Sequence, residues 1–354
     1  MHWLESIASL GVRLGSFWRN LGYNLGLVKS LRPPLLTISV GNISFGGAGK
    51  TPLGLFLLNF LKEKGWSPCF ISRGYRGQWE KKGGLVSDGQ RLLASWKQAG
   101  DEPYMVAIQA ASIPVIVGRN RYLSCLKAVE LGCDIAVLDD AFQHRRLDRD
   151  LDIVLVSPQD RPQRESWWSL RRAHIVLVRE AAKTTDEASR KIKNYLEGEI
   201  PVFTYDLVPD SFLYLSAKKT LPPAFLKDKK IVAFCGLAAP QNFRRSIETL
   251  GASLLGFFAF PDHYHYPDTC LHRLRRQINL VKPDLVVTTE KDAVKLLERH
   301  WFLNEIPLGV LKIRFAAERA FDEALEKFLQ TFKANKNERD FAARGFASRG
   351  KRSS

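Results

Sequence analysis

The run Gly41-Asn42-Ile43-Ser44-Phe45-Gly46-Gly47-Ala48-Gly49-Lys50-Thr51 has the residue types and spacing of a polyphosphate cradle. Glycines let backbone N–H groups converge on phosphate oxygens, and a helix opening near Pro52 adds the partial positive charge of its N-terminus. Ser44, Phe45, Gly46, Gly47, Ala48 and Gly49 would form the cradle. Lys50 would reach the β- and γ-phosphates of ATP, and the Thr51 hydroxyl would ligate Mg2+. Ser44 stands where the first glycine is usual; the glycines at 46, 47 and 49 still allow the close backbone approach.

Phosphoryl transfer also needs carboxylates, and three clusters offer them. Asp139 and Asp140 end the apolar run Ile135-Ala136-Val137-Leu138, at a strand tip that in α/β proteins faces the ligand crevice and here suits Mg2+. Gln143, His144, Arg145 and Arg146 follow, a group rich in donors for anions. Gly100-Asp101-Glu102-Pro103 leaves two readings open: an ordinary helix cap, or a carboxylate that accepts a hydroxyl proton. Arg73 and Arg76 follow the second strand-like run, residues 68–71, and suit phosphate or a solvated loop alike. Further on, Asp262-His263 follows a strand and is a candidate for the same site. Thr288-Thr289-Glu290-Lys291-Asp292 is explained by a helix cap alone.

These residues need a scaffold, and the apolar pattern supplies one. Residues 35–40, 68–71, 113–117, 134–138, 153–156 and 175–178 read as short buried strands, separated by helix-length stretches such as 53–64 and 121–131. The alternation predicts an α/β fold, a P-loop NTPase-like parallel sheet covered by helices. Pro and Lys break up residues 201–225, which read as a linker. Strand-like runs at 231–235, 254–258, 285–288 and 308–313 then predict a second, smaller α/β domain. The division is an N-terminal amphipathic helix over 1–30, a kinase core over 31–200, the linker, the second domain over 226–332 and a basic disordered tail over 333–354.

The 354 residues carry 53 Lys and Arg against 37 Asp and Glu, a net charge of +16. That balance draws the chain to phosphorylated substrates, anionic membranes or nucleic acid. No aromatic-basic module for nucleic acid is present, and nothing calls for an obligate protein partner. The five cysteines lack metal-ligand spacing and read as reduced thiols. Trp3, Ile7, Leu10, Leu14, Phe17, Leu21, Leu25 and Val28 recur at helical spacing. That stripe is too interrupted for a membrane span, and fits a helix packed on the core or lying in a membrane interface.

The set resembles the tetraacyldisaccharide 4'-kinase (lipid A 4'-kinase) family. The likeness rests on Gly41-Asn42 leading into Gly46-Gly47-Ala48-Gly49-Lys50-Thr51-Pro52, then Ser72-Arg73-Gly74-Tyr75 and Gly100-Asp101-Glu102-Pro103. It continues through Asp139-Asp140-Ala141-Phe142-Gln143-His144-Arg145-Arg146, Cys235-Gly236, Phe260-Pro261-Asp262-His263 and Thr288-Thr289-Glu290-Lys291-Asp292, in family order over about residues 1–315. The resemblance implies transfer of the ATP γ-phosphate to the 4'-hydroxyl of a tetraacyl glucosamine disaccharide 1-phosphate, a lipid A precursor. It implies the cytoplasmic face of the bacterial inner membrane, held peripherally or by the N-terminal helix, against an anionic surface. It implies Asp101 as base assisted by His263, Thr51, Glu102, Asp139 and Asp140 at magnesium, and Arg73, Gln143, His144, Arg145 and Arg146 toward the phosphosugar. Ala141 in place of a glycine, Tyr264 in place of a second histidine, and the unusual segment 157–170 depart from the family pattern. The alternative reading is a soluble P-loop kinase or ATPase acting on another small anion.

Overall fold

The structure, a computed structural model, describes residues 15, 18, 20–44, 47–157, 164–180, 190, 192, 194–196, 198–215 and 217–333. Phe45 and Gly46 of the phosphate loop, most of the N-terminal stripe, residues 158–163 and the tail beyond Lys333 lie outside them.

Strands β1 (Leu36–Asn42), β2 (Pro68–Ser72), β3 (Gly84–Asp88), β4 (Pro114–Val117), β5 (Ile135–Asp139), β6 (Leu151–Val156), β7 (Ile175–Arg179) and β8 (Val202–Tyr214) come from the first half of the chain. β9 (Lys219–Leu221), β10 (Lys230–Cys235), β11 (Ser253–Ala259), β12 (Leu285–Thr289) and β13 (Leu308–Ala317) complete the set. They form one sheet in the order β11-β10-β12-β13-β8-β7-β6-β1-β5-β2-β4-β3, with β9 on β8. Apart from β3 on β4, β8 on β13 and β9 on β8, the pairings are parallel. β1, β2 and β5 to β7 are buried almost throughout, which is why they read as continuous apolar runs.

Helices α1 (Lys50–Glu63), α2 (Trp96–Ala99), α3 (Asp101–Gln109) and α4 (Arg121–Glu130) belong to the first half. α5 (Pro240–Thr249), α6 (Asp268–Val281), α7 (Glu290–Leu296) and α8 (His300–Glu305) belong to the second. Leu53, Leu57, Leu58 and Leu61 of α1 are fully buried and join a core with Ile38, Val40, Phe70 and Val137. In the second half, Val232, Phe234, Val286 and Leu308 pack with Leu271, Leu274 and Ile278 of α6.

Residues 201–225 are more than a linker. Their strand β8 pairs in parallel with β7 through Val202–Tyr205 and antiparallel with β13 along its length, so it joins the two halves into one sheet. The sequence hid this because most of β8 is half-buried and so lacks an apolar run. Pro209 has no N–H for the ladder, and the register slips beside it, between Lys312 and Ile313. Strand β3 was also missed; it is a short antiparallel edge.

At this seam Gly309 faces the buried ring of Phe212, and a Cβ there would lie 2.0 Å from the ring. Gly309→Ala is therefore expected to destabilise the protein by about 1–3 kcal/mol through overpacking. Denaturant unfolding measures it, and an unchanged midpoint would count against a tightly packed seam.

Candidate active site

Helix α1 begins at the phosphate loop with its donors uncapped. Its N-cap is Gly49 at φ 87°, without a side-chain cap and with no acid in the first turn. A Cβ on Gly49 would also lie 2.9 Å from Leu207 of β8. The same strand sends the Tyr205 hydroxyl to donate to the Ala48 carbonyl at 2.7 Å. β8 thus buttresses the cradle from below, a role the sequence did not reveal.

Around the cradle, opposite charges hold each other. Lys50 Nζ donates to Asn42 Oδ1 at 3.1 Å and lies 3.0 Å from Asp140 Oδ1. Arg164 donates to the same carboxylate oxygen at 2.6 Å. Burial works against ionising Asp140, but Lys50 and Arg164 outweigh it and bring its pKa down to about 2. Asp140 itself has φ 50°, a turn conformation that Asp tolerates better than most residues. Asp139 differs. It is buried, accepts from Ser72 Oγ at 3.0 Å, and its Oδ1 has no protein partner. Burial, together with Glu102 and Asp140, raises its pKa to about 6. Beneath both, the buried Arg121 donates to the Asp139 and Gly118 carbonyls.

Asp101 and Glu102 open α3 on the far wall, and the second half of the chain meets them there. His263 Nδ1 lies 2.9 and 3.0 Å from the two oxygens of Asp101. Burial disfavours the Asp101 charge, but the His263 hydrogen bond and the lysines Lys291 and Lys295 prevail and lower its pKa. The carboxylate is therefore ionised and accepts only, so Nδ1 carries the proton. Lys291 Nζ, which can only donate, lies 3.2 Å from His263 Nε2, 2.8 Å from Glu102 Oε1 and 3.0 Å from Asp262 Oδ1. Both neighbours specify the same tautomer, Nδ1–H with a lone pair on Nε2.

His263 is held at φ 62°, a conformation that costs of order 1–3 kcal/mol and marks a site over-determined by its surroundings. Its N–H donates to Asp262 Oδ1 at 3.0 Å, and Tyr75 packs edge-on against its ring at 5.5 Å. Behind it Tyr264, at the family's usual histidine position, stacks on Phe260 at 4.9 Å. Thr289 caps α7 through the Asp292 N–H, as read from sequence. That cap concealed Lys291 and Lys295, four residues apart on one face of α7. Lys295 Nζ donates to Asp292 Oδ1 at 2.8 Å and lies 3.7 Å from Asp101.

The structure thus gathers Lys50, Thr51, Asp139 and Asp140 on one wall and Asp101 and His263 on the other. Glu102 joins them: its Oε2 accepts from Thr51 Oγ1 at 3.5 Å. Gln143 lies alongside, donating to the Asn42 carbonyl at 2.7 Å. Arg73 is exposed and paired with Glu80, and Arg146 is exposed. His144 is half-buried on the same turn. Arg145 turns toward the N-terminal segment, donating to the Asn20 carbonyl and Asn24 Oδ1 and stacking over Tyr23. The roles of Lys291, Lys295, Arg121 and Arg164 were missed; Arg164, inside the unusual segment 157–170, and Lys291, inside the run Thr288-Thr289-Glu290-Lys291-Asp292, each carried a signal.

The model of the tetraacyldisaccharide-1-P 4'-kinase family matches residues 1–330. A tetraacyldisaccharide 4'-kinase of Desulfotalea psychrophila is 37% identical, over 93% of this chain and 98% of the relative. One of Syntrophus aciditrophicus is 36% identical, over 92% and 93%. Among solved structures, an "apo" form of the LpxK protein from Aquifex aeolicus in complex with ATP superimposes with a TM-score of 0.70 at 30% identity. That match covers 93% of this chain and 99% of the other.

Because the pKa of Asp139 is raised from 3.8 to about 6, the folded state binds the extra proton between those values. Stability therefore falls as pH rises through that window, and the penalty is complete above it. Asp139→Asn is expected to stabilise the nucleotide-free protein by about 1–3 kcal/mol at pH 7.5, with the difference vanishing below pH 4. Paired unfolding curves at the two pH values measure it.

Proposed function

From the chain's membership of the tetraacyldisaccharide-1-P 4'-kinase family, we propose which of its residues carry out the transfer. The chain is an ATP-dependent kinase of lipid A biosynthesis, passing phosphate to the 4'-hydroxyl of a tetraacyldisaccharide 1-phosphate. Its substrate is thus a lipid A precursor, and the small-anion alternative is not favoured.

The N–H groups opening α1 and the Lys50 ammonium receive the triphosphate, with Arg164 beside Lys50 on Asp140. Thr51, Glu102, Asp139 and Asp140 would hold Mg2+. Among the described residues, no group of three or more His, Cys, Asp or Glu could hold a metal ion alone. That suits Mg2+, which is usually bound by one or two carboxylates and completed by phosphate and water. The orphaned Asp139 Oδ1 is the observation that fits it best. When bound, the ion neutralises charge on the β- and γ-phosphates.

The expectation from sequence had Asp101 as base; the geometry favours His263. Both oxygens of Asp101 face Nδ1 and its pKa is lowered, which makes it a poor proton acceptor and a good orienter. His263 Nε2 then takes the 4'-hydroxyl proton while the sugar oxygen attacks the γ-phosphorus. The bond from that phosphorus to the bridging oxygen breaks, and ADP leaves. Gln143, His144, Arg73 and Arg146 remain the proposed phosphosugar contacts, with Arg145 assigned to holding the N-terminal segment beside them. The second half of the chain closes onto the first to exclude water.

Among the described residues no helix is long and apolar enough to cross a membrane. Trp18, Leu25, Leu27, Val28 and Trp168 are exposed. They support an interfacial placement at the cytoplasmic face of the inner membrane, where the lipid acceptor would be met.

The single observation that carries this reading is the His263–Asp101 pair opposite Lys50. Phosphorylation of tetraacyldisaccharide 1-phosphate in detergent micelles tests it. His263→Ala and Asp101→Asn are each expected to lower kcat about 10²- to 10⁴-fold with ATP affinity kept, the double variant being little worse than either. A His263→Ala protein at the wild-type rate would remove the histidine as base.

A further inference from the structure

Lys291 is tied to three acceptors at once: Glu102 Oε1, Asp262 Oδ1 and His263 Nε2, at 2.8, 3.0 and 3.2 Å. An ammonium has three donors, so all of them are used. Two of those acceptors have other work in the reaction. Glu102, at the start of α3, accepts from Thr51 of the phosphate loop and is a proposed metal ligand, and the Nε2 lone pair is the one that must receive the hydroxyl proton. In this arrangement a single cation covers both a proposed metal ligand and the base.

Release is built into the same contact. Lys291 Nζ forms ion pairs with two carboxylates, Glu102 at 2.8 Å and Asp262 at 3.0 Å. The lysine therefore stays charged and competes as a cation for Glu102. A divalent cation seated on Glu102 repels it. Its flexible stem can retreat while Asp262, more than a third exposed, keeps hold of it.

We propose that Lys291 is a positioning residue that exchanges partners when metal and nucleotide arrive. In the metal-free protein it holds the His263 tautomer and screens Glu102; on metal binding it gives up Glu102 and uncovers Nε2. The base is thereby exposed only when the phosphoryl donor is in place. This inference rests on the assignment of Glu102 to the metal.

The test uses the full-length protein saturated with ADP and Mn2+ as the probe, with free Mn2+ read by electron paramagnetic resonance. Removing the competing cation in Lys291→Met is expected to tighten Mn2+ binding about tenfold. In the phosphorylation assay the Mg2+ concentration that gives half the maximal rate should fall by about the same factor, with KM for ATP no higher. Lys291→Arg should bind Mn2+ within about twofold of wild type. A purely structural lysine would instead weaken both metal binding and KM. If Lys291→Met does not fold, Lys291→Gln, which keeps a donor but not the charge, gives the same comparison. Mn2+ binding that is unchanged or weaker in the neutral variant, while Glu102→Gln loses it, overturns the exchange alone. An unchanged affinity in Glu102→Gln overturns the metal assignment and the exchange with it.

Discussion

The buried charge of Asp101 is the constraint on which the rest of the site depends. A carboxylate this enclosed is costly unless it is paired and hydrogen-bonded. His263 lies 162 positions away along the chain, and Lys291 and Lys295 lie further still, all on the other half of the molecule. His263 supplies the hydrogen bond, and Lys291 and Lys295 supply charge. Satisfying Asp101 therefore requires the two halves to meet, and their meeting orients the imidazole. The strained backbone of His263 is held by the same contacts.

The wall opposite follows the same electrostatic logic in reverse. Asp140 is kept ionised by Lys50 and Arg164, whereas Asp139 lacks such close cations and is pushed toward neutrality. The two neighbouring carboxylates thus differ in their partners: Asp140 has two close cations, and the Asp139 Oδ1 has no protein partner. Burying Asp139 without a close cation costs stability, a departure from the optimum that active sites commonly show.

Much of this was legible in the sequence because it is local. The parallel strands show as apolar runs, and the cradle, the Asp139-Asp140 tip and the Asp101-Glu102 turn are contiguous. What escaped reading depends on distance. β8 looked like a linker because Pro209 and its half-buried residues break the strand pattern, yet it props the cradle through Tyr205 and Leu207. Lys291 and Lys295 were hidden behind the Thr289 cap, which accounts for the local sequence without them. Residue type left Asp101 open between a helix cap and a base, and the family resemblance implied the base; the contact of His263 Nδ1 with both its oxygens lies 162 positions away and could not be read locally.

The central claim is that His263 is held as the Nδ1–H tautomer, leaving Nε2 as the nitrogen that accepts the proton. Long-range ¹H–¹⁵N correlation spectra of protein labelled with ¹⁵N-histidine report this directly. The account predicts that the neutral His263 ring shows a pyrrole-type shift for Nδ1 and a pyridine-type shift for Nε2, and that Asp101→Ala weakens this preference, leaving Lys291 alone to select it. A ring protonated on Nε2 in the wild-type protein would contradict it.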